Sequence, residues 1–201
     1  MFSKDFITLL NCLYQAALHY DDEVLLFADP VHQVHNNEND YCWQLKGAGN
    51  TKTAQANTGR RRLNIIGAIN AVSLQPTIML TEENCCVEVI EAFLEEIKKQ
   101  YASAKFICII LDNARYQRAY AIQQKAKDLN IELVYLPPYS PNLNLRERLW
   151  RFFKKKVVKN KYYETFDEFE KSVEDFFKNF GEHQEKLKIL LSFKFGNIKA
   201  N

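Results

Sequence analysis

Along residues 2–20 the apolar positions Phe2, Phe6, Leu9, Leu10, Leu13 and Leu18 recur near the helical period, which predicts a short amphipathic helix leading into the chain. The pattern then switches to an unbroken apolar run, Val24-Leu25-Leu26-Phe27-Ala28, which reads as a buried strand stopped by Asp29-Pro30. Residues 36–62 are polar and interrupted by Gly47, Gly49 and Gly59, predicting a mobile loop with a second strand near 41–45. Two β-rich runs, 63–71 and 73–80, are close enough in sequence to be antiparallel neighbours.

A helix start at Thr81-Glu82-Glu83-Asn84 leads a segment to Tyr101 in which Val87, Ile90, Phe93, Leu94 and Ile97 share the helical period. Phe106-Ile107-Cys108-Ile109-Ile110-Leu111 is apolar throughout, the pattern of a strand covered on both faces, and it ends at Asp112-Asn113. Residues 115–128 read as a helix and 131–136 as another buried strand. Pro137-Pro138-Tyr139-Ser140-Pro141 forms a rigid connection into a helix over about 143–159, and helical segments near 165–180 and 182–192 close the chain. An early group of strands followed by strand, helix, strand, helix predicts an α/β mixed sheet with helices on both faces. Periodicity alone does not single out one fold of that kind.

Composition narrows the function classes. Of 201 residues, 47% are hydrophobic and 13% aromatic, ample for a folded core. The formal net charge is only +2, so a nucleic-acid role must rest on local clusters. Two exist: Arg60-Arg61-Arg62 after Gly59 in the loop region, and the run from Arg151 to Lys161 with Lys154, Lys155, Lys156 and Lys159. Each reads either as a track for a phosphate backbone or as a solvated surface.

The cysteines Cys12, Cys42, Cys85, Cys86 and Cys108 are odd in number and lack C-x-x-C spacing, which argues against a zinc site or a disulfide framework and for a reducing, cytoplasmic setting. The adjacent Cys85 and Cys86 read as small hydrophobes. No apolar run reaches the roughly 18 residues of a membrane span, and the first residues show no signal-peptide pattern, so neither secretion nor membrane insertion is expected. His32 and His35 would lie on opposite faces of a strand, with nothing to complete a zinc site. Trp43 and Trp150 read first as core residues and second as platforms for unpaired bases.

Three carboxylates occupy informative places: Asp29 and Asp112 at strand ends, and Glu147 on a later helix. Phosphodiester chemistry needs a charged phosphate neutralised, an oxygen nucleophile activated and a leaving oxygen supported, which two metals about 3.5–4 Å apart accomplish. Magnesium prefers hard oxygen ligands of this type. The chain has 25 acidic residues, so placement alone is weak. Asp112-Asn113 also reads as a cap on the following helix, and Glu147 as the partner of Arg151 four positions on. On a helical projection Leu145, Leu149, Phe152 and Phe153 cluster on one side, and Glu147 points from the other beside Arg151 and Lys154, a sensible surface for a phosphate backbone.

Four local words favour the ligand reading. LLFADPVHQVHN, NTGRRRLNIIGAIN, IILDNARYQRA and LPPYSPNLNLRERLW occur in an order and spacing that resembles transposases of the mariner-like superfamily, in its bacterial insertion-sequence branch, over nearly all of residues 20–195. The resemblance implies a ribonuclease H-like fold. It also implies an Asp-Asp-Glu triad of Asp29, Asp112 and Glu147 that binds the catalytic metals, as two Mg²⁺ ions or with Mn²⁺ in their place. The 34 residues between Asp112 and Glu147 are similar to that family's characteristic interval.

The implied activity is hydrolysis at transposon ends followed by strand transfer into target DNA, performed by a homodimer on terminal inverted repeats with insertion at a TA dinucleotide. Double-stranded DNA is the implied partner, with contacts expected at Arg60, Arg61, Arg62, Arg151, Lys154 and Lys155, and the implied location is cytoplasmic and nucleoid-associated. Two departures stand out: Leu145-Arg146 where relatives often have a proline or branched aliphatic residue, and Gln117 where they often have histidine. The expected organisation is a lead-in helix and linker over 1–22 and a catalytic domain over 23–195. The helix-turn-helix region that precedes the catalytic domain in such enzymes is not expected in this chain, so a separately encoded partner would supply end recognition. Two other readings stay open: a DNA-binding or inactive remnant of a truncated or split element, and a stand-alone ribonuclease H-like nuclease.

Overall fold

The computed structural model describes residues 4–36, 38, 46–47, 55, 58–114, 116–137 and 145–192. Its centre is β1 (Glu23–Asn36), whose apolar run is buried because strands flank it on both sides and helices cover both faces. β1 pairs antiparallel with β2 (Thr58–Asn70), which pairs antiparallel with β3 (Pro76–Thr81). On its other side β1 pairs parallel with β4 (Phe106–Leu111), which pairs parallel with β5 (Ile131–Tyr135). The order is β3-β2-β1-β4-β5. Helices α2 (Val87–Gln100) and α3 (Tyr120–Asp128) make the connections that parallel pairing of β1, β4 and β5 demands.

Strand alternation divides the core into two layers. Leu25 and Phe27 of β1, Leu63, Ile65 and Ile69 of β2, and Cys108 and Ile110 of β4 belong to the layer built with α1 (Lys4–His19), α4 (Leu145–Phe153), α5 (Phe166–Lys178) and α6 (Gln184–Leu190). Val24, Leu26, Ala28, Ile66, Ala68, Ile107 and Ile109 belong to the layer built with α2 and α3. The expected mixed sheet with helices on both faces is present. Leu10 of α1 is fully buried, so this helix contributes to the core. Under α4, Phe153 stacks on Phe177 and meets Phe176 edge-on, which ties α5 to the same layer. The start of α5 is set by a capping box in which Thr165 and Glu168 satisfy each other's backbone N–H groups.

Several boundaries differ from expectation. β1 is not stopped at Pro30 but runs on to Asn36, pairing with β2 throughout. Its pairing with β4 ends at Ala28, so the missing N–H of Pro30 falls where β1 has become an edge toward β4, a position that tolerates proline. β2 begins at Thr58, so Arg60-Arg61-Arg62 lies in a strand rather than a loop. β3 begins at Pro76 rather than near 73, because the Asn70 side chain accepts from the backbone N–H groups of Val72 and Ser73, both at 2.9 Å, and forms the turn. The helix expected over 115–128 splits into a 3₁₀ turn at Tyr116–Arg118 and α3, with Ala119 extended between them. α4 passes at Lys154–Val158 into a π-helical turn. The strand near 41–45, Trp43, Cys42, Gly49 and the connection over 138–144 lie outside the described residues.

Candidate active site

The parallel register of β1 and β4 sets Ala28 opposite Leu111. Asp29 and Asp112 are the next residues on the two chains. Adjacent strands lie about 4.8 Å apart, so two acidic residues meet at one point of the sheet. Alternation directs both to the same face: Asp29 lies between Phe27 and Val31, and Asp112 two residues beyond Ile110, all three of which pack in the α4 layer. Both aspartates are partly exposed. Asp112 does not cap α3, whose N-cap is Ala119; its Oδ1 accepts a long 3.4 Å bond from the backbone N–H of Ala114.

α4 lies over this face. Leu145, Leu149, Trp150 and Phe153 are buried, Phe152 is half-buried, and Glu147 is exposed, so the helix turns its acidic residue away from its apolar seam as expected. Trp150 takes the core position and reaches Gly67, the β2 residue in register with Asp29. Among the described residues no ion pair joins Glu147 to Arg151. The donors are oxygen-only and open to solvent, chemistry that suits a hard divalent cation. Among the described residues no three His, Cys, Asp or Glu side chains are gathered tightly enough to hold one ion. The aspartates are neighbours in the sheet, and Glu147 stands on the adjacent helix.

The arginine word does not form a single patch. In β2 its side chains alternate, and Arg61 lies over the Phe166 ring, 3.9 Å from the centroid, while pairing with Glu82 at 2.7 Å. Arg62 donates to the Asn84 side chain, and Arg60 is exposed. In the second cluster Arg151 and Lys155 are exposed, whereas Lys154 pairs with Glu38 at 2.9 Å. Burial opposes ionisation of Glu38, but the hydrogen bonds from Lys154 and Gln33 outweigh it and hold the carboxyl below its ordinary range. Nothing in the polar stretch around Glu38 signalled this pairing. His32 and His35 do lie on opposite faces: His32 is exposed and bonds Asn64 at 2.6 Å, while His35 is buried, meets the Tyr163 carbonyl at 3.0 Å and stacks on Phe169.

A further basic group sits beside the strand ends. Arg118 lies over the Tyr135 ring, 4.9 Å from its centroid, and the Tyr135 hydroxyl donates to the Gln117 carbonyl at 2.9 Å. Tyr135 is in register with Leu111, so this assembly borders Asp112. Its components lie in and after the Asp-Asn-Ala word, but only the β4–β5 register brings them together.

The model of the DDE superfamily endonuclease family matches residues 24–170. The chain belongs to the DDE superfamily endonucleases. An uncharacterized protein of Sinorhizobium fredii, y4pE/y4sA, is 31% identical over 84 residues, 42% of this chain and 60% of its own length. The Mos1 mariner paired-end complex with Mn superposes on 94% of this chain and 59% of its own, at 15% identity and a TM-score of 0.67. The catalytic domain of Mos1 mariner transposase superposes on 94% and 87%, at 12% identity and a TM-score of 0.60. The chain thus spans about 60% of the curated relative and of the longer Mos1 chain. The DDE chain therefore has the ribonuclease H-like fold of the Mos1 catalytic domain, and its matched segment takes in Asp29, Asp112 and Glu147. No described helix is long and apolar enough to cross a membrane.

Proposed function

We propose that this DDE endonuclease domain is the catalytic part of a DNA transposase, with Asp29, Asp112 and Glu147 as its metal ligands. The observation that carries the reading is the meeting of Asp29 and Asp112 at paired strand ends, on the face over which the Glu147 helix packs. Two divalent ions, Mg²⁺ or Mn²⁺, held by these carboxylates would supply charge neutralisation and an activated oxygen nucleophile. Asp29 and Asp112 would share metal binding, and Glu147 would complete one metal's shell.

The reaction has two balanced steps. Water adds to phosphorus at a transposon end and the 3′ oxygen leaves, taking a proton. That 3′ hydroxyl then attacks a phosphodiester of target DNA, forming a new bond as another 3′ oxygen departs. The exposed cations Arg60, Arg151 and Lys155 hold the phosphate backbone, with Arg61, Arg62 and Lys154 as contacts that must first leave their present partners. A homodimer acting on paired ends and a nucleoid-associated location complete the proposal.

One observation favours a second reading. Among the described residues no three His, Cys, Asp or Glu side chains are gathered tightly enough to hold one ion, which suits a remnant that binds DNA without cutting it. Labelled duplex DNA bearing the repeats that flank the chain's own reading frame, incubated with the protein and Mg²⁺, separates the possibilities. Cutting confined to repeat ends, followed by joining, supports a transposase. Cutting without end preference supports a stand-alone nuclease, and binding without cutting supports the remnant.

A further inference from the structure

We propose that the contact between Gly67 and Trp150 is a spacer that sets the height of Glu147 over the two aspartates, making Trp150 a positioning residue; this rests on the reading of Asp29, Asp112 and Glu147 as metal ligands. Gly67 is in register with Asp29 on one side and with Ile78 on the other. Its φ is not in the left-handed region, so the backbone there would accept any residue. Space is the constraint. A β-carbon at position 67 would lie 2.9 Å from Cη2 and 3.1 Å from Cζ2 of Trp150, and 2.9 Å from Cδ1 of Ile78.

The two obstacles differ. The Ile78 methyl is the end of a flexible side chain and can swing aside. The Trp150 ring is buried and meets Phe153 and Phe177 edge-on at centroid distances of 6.0 and 6.4 Å, so a push on it passes into α4. Glu147 lies three residues earlier on that helix, one turn along the same rigid element. Displacing the indole therefore moves the Glu147 backbone relative to the Asp29 strand end.

The choice of ring points the same way. The Trp150 Nε1–H is buried and finds no hydrogen-bond partner among the described residues. Phenylalanine or leucine would fill a core position without burying an unsatisfied donor. What the indole adds is reach, and what it reaches is the one β2 residue paired with Asp29.

The test is calorimetric titration of the full chain with Mn²⁺, with circular dichroism as the check on folding. Gly67→Ala is expected to weaken Mn²⁺ binding by about tenfold or more, the scale seen when support behind metal ligands is disturbed. Adding Trp150→Phe should recover most of that loss by giving back the space. Independently, Trp150→Phe with Gly67 kept should weaken binding, and its effect should largely vanish in a Glu147→Gln background, because both act through one ligand. This cycle serves even if Gly67→Ala does not fold. Wild-type Mn²⁺ affinity in Trp150→Phe, or losses that add to those of Glu147→Gln, would overturn the spacer. Asp112→Ala is the control: if it leaves Mn²⁺ binding intact the carboxylate assignment falls and the spacer with it, whereas loss in Asp112→Ala beside unchanged Gly67→Ala removes the spacer alone.

Discussion

Asp29 and Asp112 each stand one residue beyond a registered pair, Ala28 opposite Leu111, in parallel neighbouring strands. On the proposed reading a divalent cation held by this pair binds the folded chain and not the unfolded one, in which the two residues lie 83 positions apart. Mn²⁺ or Mg²⁺ should therefore raise the thermal unfolding midpoint, by an amount corresponding to about 2.7 kcal/mol when the free ion is a hundredfold above its dissociation constant. Asp29→Asn and Asp112→Asn should each lose most of the metal-induced rise. Scanning calorimetry with and without the ion checks both.

The cations divide into exposed and engaged groups. Arg60→Gln, Arg151→Gln and Lys155→Gln are expected to leave folding intact and to lower the salt dependence of DNA binding by about 0.9 in the log–log slope for each phosphate contact removed. Arg61→Gln differs, because its guanidinium joins Glu82 to the Phe166 ring; it should lower the thermal unfolding midpoint slightly. Fluorescence anisotropy across a salt series, beside thermal melts, distinguishes the two behaviours.

The Glu38–Lys154 pair has a defined pH window. The folded-state carboxyl lies below its ordinary value of 4.5, so the pair's contribution is fully present above that value and is lost as pH falls through the lowered folded value. Because both side chains remain about one-third exposed, the contribution should stay below about 1 kcal/mol. The stability gap between the parent and Glu38→Gln should be widest near neutral pH and close in acid. Denaturant titrations at a series of pH values measure it.

Cys108 packs in the α4 layer of the core, where burial, aided by the charge of Glu132, pushes its thiol up to about 12. In the folded protein it should resist a thiol reagent at pH 8 while the exposed Cys12 and Cys86 react. Mass spectrometry of the labelled protein before and after denaturation checks this.

Much of this arrangement was legible in the chain because it rests on short-range pattern. The continuous apolar runs ending at Asp29 and Asp112 announced buried strands, and the periodic residues of α2 and α4 announced their buried faces. Pro30 misled because its cost depends on whether a neighbouring strand still needs the missing N–H, and the end of β4 decides that. Arg60-Arg61-Arg62 looked like loop for a similar reason: charged residues suit a strand once it projects past the core, and Arg61 gains Phe166 from more than a hundred residues away. Trp150 was readable as a core residue, but its contact with Gly67 was not, since only the packing of α4 on the sheet joins them. The standing of Glu147 depends on how α4 sits over the strand ends, which residue spacing does not encode.

The most direct measurement is nicking of labelled duplex DNA by the purified chain, with Mg²⁺, with Mn²⁺ and with chelator, set beside Asp112→Asn. The expected result is cutting that requires the metal and falls by about a hundred- to a thousandfold in the variant while its circular dichroism stays unchanged, the scale expected when a charge-stabilising catalytic group is removed. Metal-dependent cutting that persists at the parent rate in Asp112→Asn would contradict it.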